Sequence, residues 1–144
     1  MAGEDRSARI EAVRRFNRFY TRRIGVLREG LLDSRYTLTE ARVLYELAHR
    51  EQTTPTELAA ELSLDPGYLS RILRAFRKRG WLETSSSKID GRTRVLRLTR
   101  RGRQAFARLE ARSRSEVKAM LAGRTDAEQR RLNRAMQTIE SLLG

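Results

Sequence analysis

Residues 54–80 read Thr54-Pro55-Thr56-Glu57-Leu58-Ala59-Ala60-Glu61-Leu62-Ser63-Leu64-Asp65-Pro66-Gly67-Tyr68-Leu69-Ser70-Arg71-Ile72-Leu73-Arg74-Ala75-Phe76-Arg77-Lys78-Arg79-Gly80, and two helix starts are written into that run. Thr54 can cap the first helix, Pro55 suits the first helical position, and Glu57 can reach back to close a capping box. Leu58 and Leu62 then point inward from a short helix, and Ser63-Leu64 leads directly to the second start. Asp65-Pro66 repeats the pairing of a cap with a helix-opening proline, and Gly80 closes the helix after about Arg79. Leu69, Ile72, Leu73 and Phe76 recur at spacings of three and four and give this helix its buried face. Gly67, Ser70, Arg71, Arg74 and Lys78 fall on the opposite face.

Beyond Gly80 the period of the pattern changes. Trp81–Thr84 and Thr93–Leu98 read as short strands, and Asp90-Gly91 between them is a hairpin signal. Thr99 caps a long helix over about 100–121 carrying Phe106, Leu109, Val117 and Leu121, which Gly123 ends. Thr125 with Glu128 forms another capping box, opening a last helix with Leu132, Met136, Ile139 and Leu143 inward. Upstream, a helix over about 39–49, started by Thr37 or Thr39, turns Leu44 and Leu47 inward. The first segment reads as a helix over about 6–27 with Ile10, Val13, Phe16, Tyr20, Ile24 and Leu27 in one apolar stripe. Gly25 and Gly30 weaken it before Leu31-Leu32. The expected fold is mostly α with one small β-hairpin. Two short helices joined by a tight turn and followed by a basic hairpin make a winged helix-turn-helix.

The charge narrows the function. The chain has 144 residues, with 31 Lys+Arg against 18 Asp+Glu, a formal net charge of +13. Residues 65–103 hold twelve basic and three acidic side chains, so nine of the thirteen excess charges sit in the second short helix and the hairpin region. Such a concentration points to a polyanion as partner. There is no cysteine, which removes disulfides and thiolate zinc sites, and a single histidine (His49) cannot build a two-histidine metal site. His49 reads as a polar helix-ending residue. The nine glycines include no pair two apart and no Gly-Lys-Ser/Thr, so phosphate loops of nucleotide enzymes are missing. No stretch longer than five residues lacks a charge, which leaves no membrane span or signal core. The expectation is a cytoplasmic, nucleoid-associated protein that is not an enzyme, needs no cofactor or metal and binds no membrane.

Double-stranded DNA suits the pattern. A helix about 10–12 Å across fits the major groove, and its first residues reach base edges. Gly67 and Ser70 are small enough for close approach, and Arg71 can fork onto guanine O6 and N7. Tyr68 either touches a thymine methyl or a phosphate, or packs on the helix-turn-helix core. Arg74, Arg77 and Lys78, farther along, suit phosphates. At the hairpin, Lys88, Arg92 and Arg94 are candidates for the adjacent minor groove and backbone, with Arg92 entering the negative potential there. Arg94 and Arg97 are equally explicable as strand-face residues paired with Glu83.

The segments Thr39-Glu-Ala-Arg-Val-Leu, Thr56-Glu-Leu-Ala, Gly80-Trp-Leu-Glu, Asp90-Gly-Arg92-Thr-Arg94 and Leu98-Thr99-Arg-Arg-Gly102 together resemble the MarR (multiple antibiotic resistance regulator) family, over nearly the whole chain. The resemblance implies a homodimer in which 1–32 and 104–144 supply dimerisation helices and 33–103 the DNA-binding lobe, all within one domain. It implies binding of a pseudo-palindromic operator, usually as a repressor, and a small-molecule effector that releases the DNA. It assigns Asp90 to bracing the wing and Arg92 to the minor groove. Many members place a second arginine directly after the aspartate, where this chain has Gly91. Redox-sensing members use a cysteine near the first helix, and this chain has none. The run Asp65-Pro-Gly-Tyr-Leu-Ser-Arg71 is also similar to the regulator-like half of two-domain proteins that continue into a GNAT-type acetyltransferase. The acetyl-CoA loop of those enzymes is missing, so the second reading is a regulatory or docking module for such a domain.

Overall fold

The computed structural model of the chain describes residues 2–24, 36–87, 89 and 91–144. In chain order the elements are α1 (Ala2–Arg23), α2 (Leu38–Ala48), α3 (Pro55–Leu62), α4 (Pro66–Lys78), β1 (Leu82–Ser86), β2 (Arg94–Leu98), α5 (Arg100–Leu121) and α6 (Asp126–Leu143). The expected end of the first helix near residue 27, the glycines 25 and 30, and Leu31-Leu32 lie outside the described residues.

Side-chain caps set most of these boundaries. Thr37 Oγ1 accepts from the Glu40 amide at 3.1 Å and starts α2, settling which of the two candidate threonines is the cap. Thr54 and Glu57 form the reciprocal box on α3, with the Glu57 amide donating to Thr54 Oγ1 at 3.2 Å and the Thr54 amide donating to Glu57 Oε2 at 3.2 Å. Asp65 Oδ2 accepts from the Tyr68 amide at 2.9 Å and starts α4. Thr125 and Glu128 repeat the box on α6. Each such cap satisfies amides that the first turn of a helix leaves without intrahelical partners.

Two compact units divide the chain, residues 1–109 and 110–144. In the first, Leu44, Leu47, Leu58, Leu69, Phe76 and Leu96 are buried almost completely and form the centre of one core. That core joins α2, α3, α4, the hairpin and the start of α5, where Gly102, Ala105 and Leu109 are buried. β1 and β2 pair antiparallel with Leu82 opposite Leu98 and Ser86 opposite Arg94, one to two residues offset from the expected strand limits. Thr53 adds a one-residue third strand, exchanging hydrogen bonds with Leu96 at 3.2 and 2.7 Å.

The turn between α3 and α4 rests on Ser63, whose φ of 51° is left-handed. Its amide and that of Leu64 return to Ala60 and Ala59, which closes α3 and lets α4 begin two residues later. Gly80, at φ +76°, ends α4 in the same way.

The second unit is the rest of α5, the Gly123 turn at φ +80° and α6. Here the expectation of an inward α6 face is corrected. No residue of α6 is buried, and Leu132, Ile139 and Leu143 are exposed while Met136 is half-buried. The periodicity is that of a buried face, but among the described residues nothing buries it. α1 behaves likewise: Ile10, Val13, Phe16 and Tyr20 are exposed, with Phe16 and Tyr20 stacked on each other at 5.7 Å.

Candidate nucleic-acid interface

The outer face of α4 carries three exposed cations, Arg71, Arg74 and Lys78, and the helix has no carboxylate. The four buried residues Leu69, Ile72, Leu73 and Phe76 clamp one side of α4 to the core, which turns Gly67, Ser70, Arg71, Arg74 and Lys78 outward. All five are exposed. The Asp65 cap fixes the first turn, where free backbone amides and the positive end of the helix dipole favour an anion.

Of the roles considered for Tyr68, the structure shows packing on the core. Its ring is half-buried and packs against the core, and the Arg71 guanidinium lies over it, 5.7 Å from the ring centroid. The tyrosine is therefore an anchored platform beside the most exposed part of α4, and Arg71 is partly ordered by it.

Arg77 behaves differently from its neighbours. It is half-buried and its Nη1 donates to Thr84 Oγ1 at 3.3 Å, so it ties α4 to β1 instead of standing free for a phosphate. Arg79, which the sequence left without a role, caps the C-terminus of α4. Its guanidinium sits 5.0 Å from the Trp81 ring centroid and 5.6 Å from that of Tyr36. Neither contact is readable from local spacing, because both depend on how the chain returns after Gly80.

The hairpin brings Arg94 to the rim of an open groove that Thr56, Ser70 and Arg77 also line. Ser70, Arg77 and Arg94 thus share one side of α4. Arg92 is exposed near the tip. Lys88 and Asp90 lie outside the described residues. Glu83 stands opposite Arg97 in the strand register, but the ion pairs among the described residues are those of Arg9, Arg14 and Arg50. Arg50 joins Glu46 of α2 to Glu61 of α3 and belongs to the scaffold.

His49 ends α2 as expected. Its amide and its Nδ1 both donate to the Tyr45 carbonyl, at 3.1 and 2.8 Å, and its ring stacks on Tyr45 at 4.0 Å with Phe106 edge-on at 5.5 Å. Among the described residues no three potential metal ligands gather, and no helix is long and apolar enough to cross a membrane.

The site is completed by Gly102. Thr99 caps α5 through a 3.1 Å bond from the Gly102 amide, and its own hydroxyl donates to the Gly80 carbonyl at 2.6 Å. A Cβ on Gly102 would overlap the Trp81 carbonyl oxygen and lie 3.0 Å from Leu98 Cδ2. The Leu-Thr-x-x-Gly run therefore locks the hairpin's return strand and α5 against the end of α4. This holds the wing at a fixed position relative to the helix.

Comparison with known proteins agrees with this geometry. The model of the MarR family matches residues 36–93. No curated protein matches the sequence. Among solved structures, FabT of Streptococcus pneumoniae in complex with DNA superposes with a TM-score of 0.75 at 18% identity, covering 95% of this chain and 96% of that one. A cysteine-to-serine mutant of MarR from E. coli, complexed with operator DNA, superposes at 0.70 with 23% identity over 90% and 94%. BpsR of Bordetella bronchiseptica, whose DNA binding is regulated by 6-hydroxynicotinic acid, superposes at 0.68 with 17% identity over 90% and 98%. The family match covers a narrower span than the resemblance read from the sequence, while the likeness of fold runs through the flanking helices as well. Over residues 36–93, then, the chain is similar to the MarR family.

Proposed function

We propose that the protein is a sequence-specific DNA-binding transcriptional regulator, not an enzyme. It acts as a homodimer on a pseudo-palindromic operator, usually as a repressor. The observation that carries this reading is the outward face of α4, where two small residues and three cations stand exposed on a helix whose other side is clamped to the core.

The division of labour follows from position along the helix. Gly67, Tyr68, Ser70 and Arg71 occupy the first two turns, the part of a recognition helix that reaches base edges. Arg74 and Lys78 lie farther along, where phosphates pass. Lys88, Arg92 and Arg94 are assigned to the wing's contacts with the adjacent minor groove and backbone, and Asp90 to bracing the wing. Residues 33–103 form the DNA-binding lobe, and 1–32 with 104–144 supply dimerisation helices, all within one domain. The exposed apolar stripes of α1 and α6 support that assignment. The neighbours that bind operator DNA and a small aromatic acid support a regulator released by a small molecule. No observation favours a docking module for an acetyltransferase.

The test is selection from a random duplex pool at near-physiological salt, with sequencing of the bound fraction. An enriched inverted repeat with half-sites about one turn, about 10 bp, apart is the expected result. Salt-sensitive binding without an enriched motif would reduce the protein to a charge-driven coat and overturn the reading.

A further inference from the structure

We infer that the junction of α4 and α5 is a second phosphate-binding surface, built from Lys78, Arg79, Arg100 and Arg101, which grips the duplex backbone beyond the bases read by the start of α4. The inference rests on the proposed DNA-binding function and extends its phosphate contacts from Lys78 to Arg79, Arg100 and Arg101.

The four side chains come from segments 20 residues apart and are brought together by the backbone. The Gly80 carbonyl accepts from Thr99 Oγ1 at 2.6 Å and the Trp81 carbonyl from the Thr99 amide at 2.8 Å, so α5 begins beside the end of α4. The Arg101 guanidinium lies over Gly80, 3.4 Å from where a Cβ would stand. The Arg79 guanidinium rests on the rings of Tyr36 and Trp81, which touch each other edge-on, and Lys78 and Arg100 are exposed. Among the described residues none of these four cations pairs with a carboxylate.

A simpler account is that they answer the negative end of the α4 dipole. That end carries about half an elementary charge. Four cations exceed it several-fold, and Arg77 stands in the same last turn. The remaining charge is available to an external anion.

The dimensions say which anion. α4 has 13 residues and is therefore about 20 Å long, while the major groove is about 12 Å wide. With its first turns among base edges, its last turn and the start of α5 must pass over a phosphate ridge. Hydrogen bonds and aromatic contacts already fix this end of the molecule, so binding there orders little that was mobile.

The test uses the full chain and the exposed double substitution Arg100→Ala/Arg101→Ala, with thermal melting to check that the fold is kept. Two duplexes carry the selected inverted repeat, one cut flush and one extended by about half a helical turn, about 5 bp, at each end. Wild-type protein should bind the extended duplex about tenfold more tightly, and the variant should lose that advantage. The variant's slope of log K against log salt on the extended duplex should fall by about two per protomer. Its preference for the repeat over a scrambled sequence should stay unchanged. Equal affinity of the wild type for both duplexes, or a variant that keeps the advantage, overturns the inference alone. A wild type without preference for the repeat overturns the DNA-binding reading and the inference together.

Discussion

Arg71 and Arg74 are one turn apart on the same exposed face, yet they should fail differently when removed. Arg71 lies over Tyr68, near the helix start that the proposed function assigns to base edges, whereas Arg74 has no such platform and is assigned to the backbone. Arg71→Ala should cost about 1–3 kcal/mol on the selected operator and relax the preference at one base position, while Arg74→Ala should weaken all sequences alike. Titrations of both variants against cognate and random duplexes decide the matter, and equal losses on the two duplexes for both variants would contradict the assignment. Gly102 makes a second prediction at this scale. A methyl group there collides with the Trp81 carbonyl, which cannot move without releasing the Thr99 bonds. Gly102→Ala should therefore lower stability by about 2–3 kcal/mol in chemical unfolding, the upper range for overpacking. A variant as stable as the parent would mean that α5 can slide away from the hairpin without cost.

The elements were legible to the extent that their signals are local. Thr54, Asp65 and Thr125 all cap the helices expected of them, because a cap needs only residues within three positions of itself. The buried face of α4 was legible for the same reason. What was not legible depends on distant chain segments: the bond from Arg77 to Thr84, the holding of Arg79 by Tyr36 and Trp81, and the reason position 102 carries no side chain. The α6 stripe shows the opposite limit, since its period announces burial without saying against what. The turn joining α3 to α4 offers a test of this local control. Ser63 adopts a left-handed conformation that costs a non-glycine residue roughly 1 kcal/mol, and its side chain is exposed. Ser63→Gly should raise stability slightly, by about 0.5 kcal/mol once the extra freedom of the unfolded chain is set against the relieved strain. Thr54→Ala in the neighbouring capping box should lower it by about 1 kcal/mol. Opposite signs from two substitutions nine residues apart, neither in the core, would identify backbone and cap chemistry as what sets the helix-turn-helix.

At the scale of the molecule, the apolar faces of α1 and α6 need a cover. Val13 is 56% exposed, Leu143 is 81% exposed, and no residue of α6 is buried. Stripes of that period stay out of water in a stable protein, and contiguous exposed apolar surface marks an interface. A second copy of the chain is the simplest cover, because a twofold arrangement buries the same stripe on both partners. It would also set two α4 helices at a fixed separation, which is what an inverted repeat requires. The chain should then sediment at twice its 16.7 kDa, and its melting temperature should rise with concentration. Ile139→Arg together with Leu143→Arg places two charges on the α6 stripe without touching the core of the first unit, and should give a folded monomer. That monomer should keep salt-dependent affinity for any duplex, since the α4 face is intact, but lose preference for an inverted repeat over a single half-site. A charged variant that remains dimeric would assign the α6 stripe to some other cover. A monomeric variant with undiminished preference for the repeat would show that the two half-sites are read independently.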